Sequence, residues 1–119
     1  MEIEKTLLTS SYSIKFEAKE NGVILGHAFI IIIQNSRHAE PYALLEDVYV
    51  EQEYRGKGVG SQLIAQVLSV AKEKKCYKII ATSRHTKPDV HRLYEKIGFV
   101  NHGIEFRMTL SDSPIQTRD

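Results

Sequence analysis

Apolar spacing changes several times along this chain, and each change marks a structural element. From Tyr12 to Ala18 polar and apolar positions alternate, the period of a strand with one buried face. Glu20-Asn21-Gly22 follows, carrying an Asn-Gly hairpin signal. Val23 to Gln34 contains the run Ala28-Phe29-Ile30-Ile31-Ile32-Ile33, whose β-branched residues predict a long buried strand, with Gly26 placed for a bulge. Polar Asn35 to Pro41 predicts a loop, and Tyr42 to Val50 a third strand.

From Val59 the period becomes helical. Val59, Leu63, Val67 and Val70 share one face, with Ile64, Leu68 and Ala71 beside them. Lys72, Lys74 and Lys75 fall in the last turn, where cations suit the helix dipole. Tyr77 to Ser83 predicts a fourth strand. Lys87-Pro88-Asp89 opens a second helix, which runs to about Lys96 and is ended by Gly98. Ile104 to Leu110 predicts a last strand, and the stretch from Ser111 to Asp119 predicts no structure. The order β-β-β-α-β-α-β is an antiparallel start followed by a βαβ unit. At 119 residues the expectation is one domain over 1–119, with enough chain to bury a core.

Composition narrows the partners. A net charge of +1 supplies no global field for nucleic acid. The longest apolar run is too short to span a bilayer, so no membrane partner is expected. The lone Cys76 excludes an internal disulfide and a multi-cysteine metal site, and its expected role is packing. With no signal-peptide pattern at the start, the expected location is cytoplasmic. His27, His38, His85, His91 and His102 form no pair at metal-helix spacing, so no metal is expected. His85 follows the fourth strand, which places it as a candidate for a substrate contact.

The densest chemistry lies in Val48-Tyr49-Val50-Glu51-Gln52-Glu53-Tyr54-Arg55-Gly56-Lys57-Gly58-Val59-Gly60-Ser61. A strand, a basic glycine-rich turn and a helix start bring backbone N–H groups, a positive dipole end and two cations to one point, which suits a pyrophosphate. Lys57 is followed by Gly58, so the P-loop pattern fails. Gly56, Gly58 and Gly60 stand at G-x-G-x-G, so the dinucleotide fingerprint fails as well. What remains is Arg55-x-x-Gly58-x-Gly60, followed later by Leu93-Tyr94-Glu95-Lys96-Ile97-Gly98-Phe99.

On these two motifs the chain resembles the GCN5-related N-acetyltransferases, which move an acetyl group from acetyl-coenzyme A to an amine. The resemblance covers Leu44 to Phe99. It implies an α+β fold of three layers, with a mixed, mostly antiparallel, splayed sheet and helices on both faces. It also implies that the pantetheine arm pairs with Val48, Tyr49 and Val50, and that the pyrophosphate sits on Arg55, Gly56, Lys57, Gly58, Val59, Gly60 and Ser61. Where many members carry Asn-x-x-Ala, this chain has Lys87 and Val90, so Lys87 becomes a candidate for the cofactor phosphates. Members usually begin with a strand and two helices that wall the acceptor site; those helices are expected to be reduced or absent here, which leaves the acceptor side either open or closed by a second subunit, and a homodimer is expected.

The implied reaction is direct attack by a neutral amine on the thioester carbonyl. An alkylammonium of pKa ~10.4 is neutral about once in 2,500 at pH 7, a handicap of about 4.6 kcal/mol. A base or a dry site must offset it. Glu46 is the favoured base and Asp47 the second candidate; in a regular strand they face opposite sides. Tyr94 matches the family's tyrosine near the sulfur, and is expected to donate a hydrogen bond to it as it departs. The expected activity is transfer to a small amine or aminosugar. The alternative is an acetyl-coenzyme A-binding regulatory domain without catalysis.

Overall fold

The computed structural model describes residues 1–112. They fall into two compact units, one from Met1 to Ala81 and one that starts at Thr82. The first holds a sheet of four strands: β1 (Tyr12–Glu20), β2 (Val23–Ile33), β3 (Tyr42–Val50) and β4 (Ile79–Ala81), adjacent in that order. β1, β2 and β3 are antiparallel, and β4 joins β3 in parallel. Asn21 and Gly22 turn the first hairpin with φ of 53° and 79°, the left-handed pair that an Asn-Gly turn provides.

Helix α1 (Val59–Glu73) crosses back between β3 and β4. Its stripe of Leu63, Ile64, Val67 and Ala71 is buried together with Ala28, Ile30 and Ile32 of β2 and Ala43 and Leu45 of β3. One face of the sheet is thereby the core. Alternate residues of β2, including His27, Phe29 and Ile31, point to the other face and stay half-buried.

Two bulges interrupt the ladders. β1 pairs regularly as far as Ala18 with Gly26, then resumes at Lys19 with Ile24, so Leu25 is the extra residue. Gly26 beside it serves a different need. A Cβ there would lie 2.6 Å from the Tyr49 carbonyl oxygen, so only glycine lets β3 approach this closely. In β3, Tyr49 pairs with His27 and Glu46 with Phe29, leaving Asp47 and Val48 opposite Ala28 alone. Asp47 takes up the extra length with φ of 46°.

In the second unit, α2 (Pro88–Ile97) begins with proline in its first turn, as the sequence leads one to expect. Gly98 ends it at φ 123°. The Tyr94 carbonyl accepts the N–H groups of Gly98 and Phe99 at 3.1 and 2.9 Å, which closes the helix.

Two expectations fail. The fourth strand is three residues, not Tyr77 to Ser83. Pairing with β3 stops at Leu45 and Ala81, where the two strands part. Ile104 to Leu110 forms no strand. Its alternating residues Ile104, Phe106, Met108 and Leu110 are 69 to 91% exposed. Alternation marks a face, but a strand forms only with a neighbour, and none pairs with this segment among the described residues. Ser111 and Asp112 lie outside helix and strand as expected, and the rest of the tail lies outside the described residues.

Candidate functional site

β3 has two unlike halves. Ala43, Leu44 and Leu45 are paired with β2 on one side and β4 on the other. Glu46 to Val50 continue along β2, but the ladder with β4 ends at Leu45, and no other strand among the described residues pairs with them. The Glu51 N–H donates to the Leu25 carbonyl of β2 at 2.8 Å, so the neighbouring Val50 carbonyl faces away from β2. It accepts a bond from Arg55 Nε at 2.8 Å. By the same alternation the backbone C=O of Val48 faces that edge.

This edge runs into the glycine turn. A single 3₁₀ turn at Gln52–Tyr54 is followed by Gly56 at φ 77° and Gly58 at φ 84°. A Cβ on either would meet nothing within 4 Å, so backbone handedness, not crowding, calls for glycine there. The first helical bond runs from the Gln62 N–H to the Gly58 carbonyl at 3.0 Å. The amides of Val59, Gly60 and Ser61 are therefore first-turn amides with no partner within the helix, at its positive dipole end. Gly60 differs from the other two: a Cβ would touch Val50 at 3.6 Å, an ordinary contact. The two cations lie against aromatic rings, Arg55 over Tyr49 at 5.3 Å and Lys57 over Tyr54 at 5.7 Å.

The bulge decides where the carboxylates go. Glu46 is paired with Phe29 and is exposed. In a regular strand Asp47 would point to the α1 face, opposite Glu46. The left-handed turn at Asp47 breaks that alternation, and its Oδ2 lies 3.1 Å from His27 Nε2. His27 stands on the face away from α1, against Phe29 and Tyr49 with ring centroids at 5.5 and 5.8 Å. The two carboxylates therefore do not face opposite sides, and both are available to the same face. Sequence reasoning passed over His27. Its signal was its place between Gly26 and Ala28, which the β2 pattern buries on the opposite face.

In the second unit Tyr94 is half-buried and its ring lies 5.4 Å from that of Phe99. Lys87 caps α2: its carbonyl accepts the N–H groups of Val90 and His91, and its own N–H donates to the Arg84 carbonyl. His91 Nε2 donates to the same carbonyl at 2.8 Å, which ties the preceding loop to the helix. His85 is exposed in that loop. The Ser83 hydroxyl is buried with no hydrogen-bond partner among the described residues. Cys76, half-buried beyond α1, has its thiol pushed above its usual value by burial. The residues expected at the site thus divide. Glu46, Val48, Tyr49, Val50 and the turn from Arg55 to Ser61 belong to the first unit, Lys87 and Tyr94 to the second.

A family model described as the acetyltransferase (GNAT) family matches residues 3–99. The chain is 34% identical over 90 residues to a glucosamine 6-phosphate N-acetyltransferase of Trypanosoma brucei brucei, a match over 75% of this chain and 59% of that protein. It is 39% identical over 54 residues to a thialysine N-epsilon-acetyltransferase of Bos taurus, over 45% of this chain and 32% of that one. The chain thus spans less than two thirds of either relative. Among solved structures, a putative acetyltransferase from Agrobacterium tumefaciens superposes with a TM-score of 0.76 at 32% identity, over 82% of this chain and 68% of that one.

Proposed function

Since the chain belongs to the GNAT acetyltransferase family, we propose that it transfers the acetyl group of acetyl-coenzyme A to a primary amine of a small acceptor. The observation that carries this reading is the unladdered half of β3 leading into the glycine turn. A strand edge offers alternating N–H and C=O groups, which match the amides of a pantetheine arm. The helix start beyond it offers amides and roughly half a positive charge to a pyrophosphate. The residues fit that donor. Val48 and Val50 present the edge, Gly56 and Gly58 shape the turn, and Gly60, which the fold does not demand, keeps a Cβ away from the phosphates. Arg55 and Lys57 supply countercharge at the same end, and Lys87 is a further cation we assign to the cofactor phosphates.

The chemistry is acyl transfer. The amine nitrogen attacks the thioester carbonyl carbon, the C–N bond forms and the C–S bond breaks. One of the carboxylates Glu46 and Asp47 takes the proton that the amine gives up. Tyr94 is assigned to the departing sulfur. Its ordinary pKa of ~10 exceeds that of a thiol, ~8.5, so full protonation runs uphill by about 2 kcal/mol and hydrogen-bond donation is the better description. Tyr94→Phe is expected to lower turnover by about 10- to 1,000-fold. A variant turning over at the wild-type rate with saturating amine contradicts the assignment.

An aminosugar is the favoured acceptor class. The segment Leu45-Glu46-Asp47-Val48 resembles that of members acting on aminosugars and other small amines, and also occurs in protein acetyltransferases; the trypanosome relative, named for glucosamine 6-phosphate, favours the aminosugars. The bovine relative is named for thialysine, so amino acids belong in the same screen. The test is release of free thiol from acetyl-coenzyme A across aminosugars, their phosphates, amino acids, polyamines, aminoglycosides and peptides. Release with one small-amine class supports the reading. Binding of coenzyme A with no release from any amine overturns it in favour of a binding domain.

A further inference from the structure

We infer that His27 is a positioning residue: through its hydrogen bond to Asp47 it aims the carboxylate that takes the acceptor's proton. The inference deepens the acetyltransferase reading and rests on it. Three observations carry it. First, α1 covers the face formed by Ala28, Ile30 and Leu45, so within this unit an acceptor reaches the β3 edge from the other face. Second, Asp47 is carried to that other face by a left-handed backbone, φ 46°, at the bulge. Aspartate adopts that conformation more readily than most non-glycine residues, and here it turns the side chain toward His27. Third, the carboxylate is gripped there. His27 Nε2 lies 3.1 Å from Oδ2, with the side chains 16% and 30% exposed.

The neighbours explain why the imidazole is directed to Asp47. Glu17 is the cross-strand neighbour of His27 on β1, but its carboxylate is engaged by Lys15 at 3.5 Å and by Lys19 at 3.9 Å. On β3, Tyr49 lies against the ring at a tilt, and Arg55 lies over the Tyr49 ring. A carboxylate that must aim at a substrate loses rotamer freedom. Asp47, shorter and already held, loses little. In the proposed step the acceptor ammonium gives one proton to Asp47, directly or through a water. Its lone pair then forms the C–N bond as the C–S bond breaks, the second N–H proton passes through solvent to the departing thiolate, and the carboxylate returns the first proton to solvent.

A double-mutant cycle with coenzyme A calorimetry tests this. His27→Phe keeps a ring and removes the hydrogen bond; His27→Asn keeps a donor. Hydrogen bonds to charged groups support an expected loss of about 10- to 100-fold in kcat/KM for the amine with His27→Phe, with coenzyme A affinity unchanged. His27→Asn restores most of that loss. On an Asp47→Asn background, His27→Phe changes the rate by less than about twofold, because it acts only through Asp47. An active wild type with a His27→Phe variant of equal rate overturns the inference alone, as does a cycle in which the two effects multiply. Loss of activity on Glu46→Gln with none on Asp47→Asn does the same. A wild type that binds coenzyme A and acetylates no amine overturns the acetyltransferase reading itself.

Discussion

Tyr42 to Leu45 sits between two strands, with Ala43 and Leu45 turned into the core and their backbone shared with β4. Glu46 to Val50 continues the same strand, yet it is bulged, half-buried or exposed, and no second strand among the described residues pairs with it. The first half is laddered on both sides. The second is where we place the donor, since a ligand there costs no sheet pairing. One strand thus separates scaffold from site at a single residue, Asp47, and substitutions on either side should separate stability from activity.

The largest stability effect is expected in the scaffold half. Leu45 is 3% exposed, so Leu45→Ala should cost about 2–5 kcal/mol through lost transfer energy and the cavity left behind. Urea unfolding should show a lower midpoint with the same slope. Affinity for coenzyme A, measured well below the unfolding midpoint, should stay within about twofold. A large affinity loss in a still-folded protein would erase the distinction between the halves.

Gly26→Ala should strike both. Its Cβ would stand 2.6 Å from the Tyr49 carbonyl oxygen, a backbone atom that cannot swing aside. β2 and β3 must separate along the site half, at a cost of about 1–3 kcal/mol by analogy with overpacking. Unlike Leu45→Ala, this change should also weaken coenzyme A binding, read by titration calorimetry, because the edge presented by Val48 and Val50 moves. A variant with wild-type affinity would show that the edge position does not matter.

Gly58→Ala comes next. It meets no atoms, so the only penalty is an L-residue at φ 84°, about 1–2 kcal/mol. If the turn instead relaxes, the helix start is misaligned, and coenzyme A affinity should fall about tenfold while the core remains intact. Unchanged stability together with unchanged affinity would remove the turn from the donor site.

The contrast between the halves also explains what the sequence disclosed. The β1–β2 hairpin, the bounds of β3, the α1 stripe, Pro88 and Gly98 each have a local cause, and each appears where expected. The glycine turn was legible for the same reason. The bulge was not, because Tyr42 to Val50 reads as an unbroken strand and only the register against β2 shows that Ala28 faces two residues. His27 was hidden with it, since its partner lies on another strand. Ile104 to Leu110 failed in the opposite sense: its alternation is as clean as that of β1, but a partner strand cannot be read from the segment itself.

Asp47→Gly should give a small change in stability and the clearest test of the division. Relief of the left-handed backbone favours the variant by about 1–2 kcal/mol. Against it stand the greater freedom of glycine in the unfolded chain, about 0.5–1 kcal/mol, and the lost bond from His27 to a carboxylate, about 1.5–3 kcal/mol. The terms oppose each other, so the unfolding midpoint should correspond to a net loss of only about 1–2 kcal/mol. Turnover should nevertheless fall at least about tenfold if the removed carboxylate is the proton acceptor, as we infer. Equilibrium unfolding and steady-state kinetics on one preparation give both numbers. If stability drops by several kcal/mol while activity persists, the bulge is scaffold after all, and the boundary between the halves of β3 lies further along the strand.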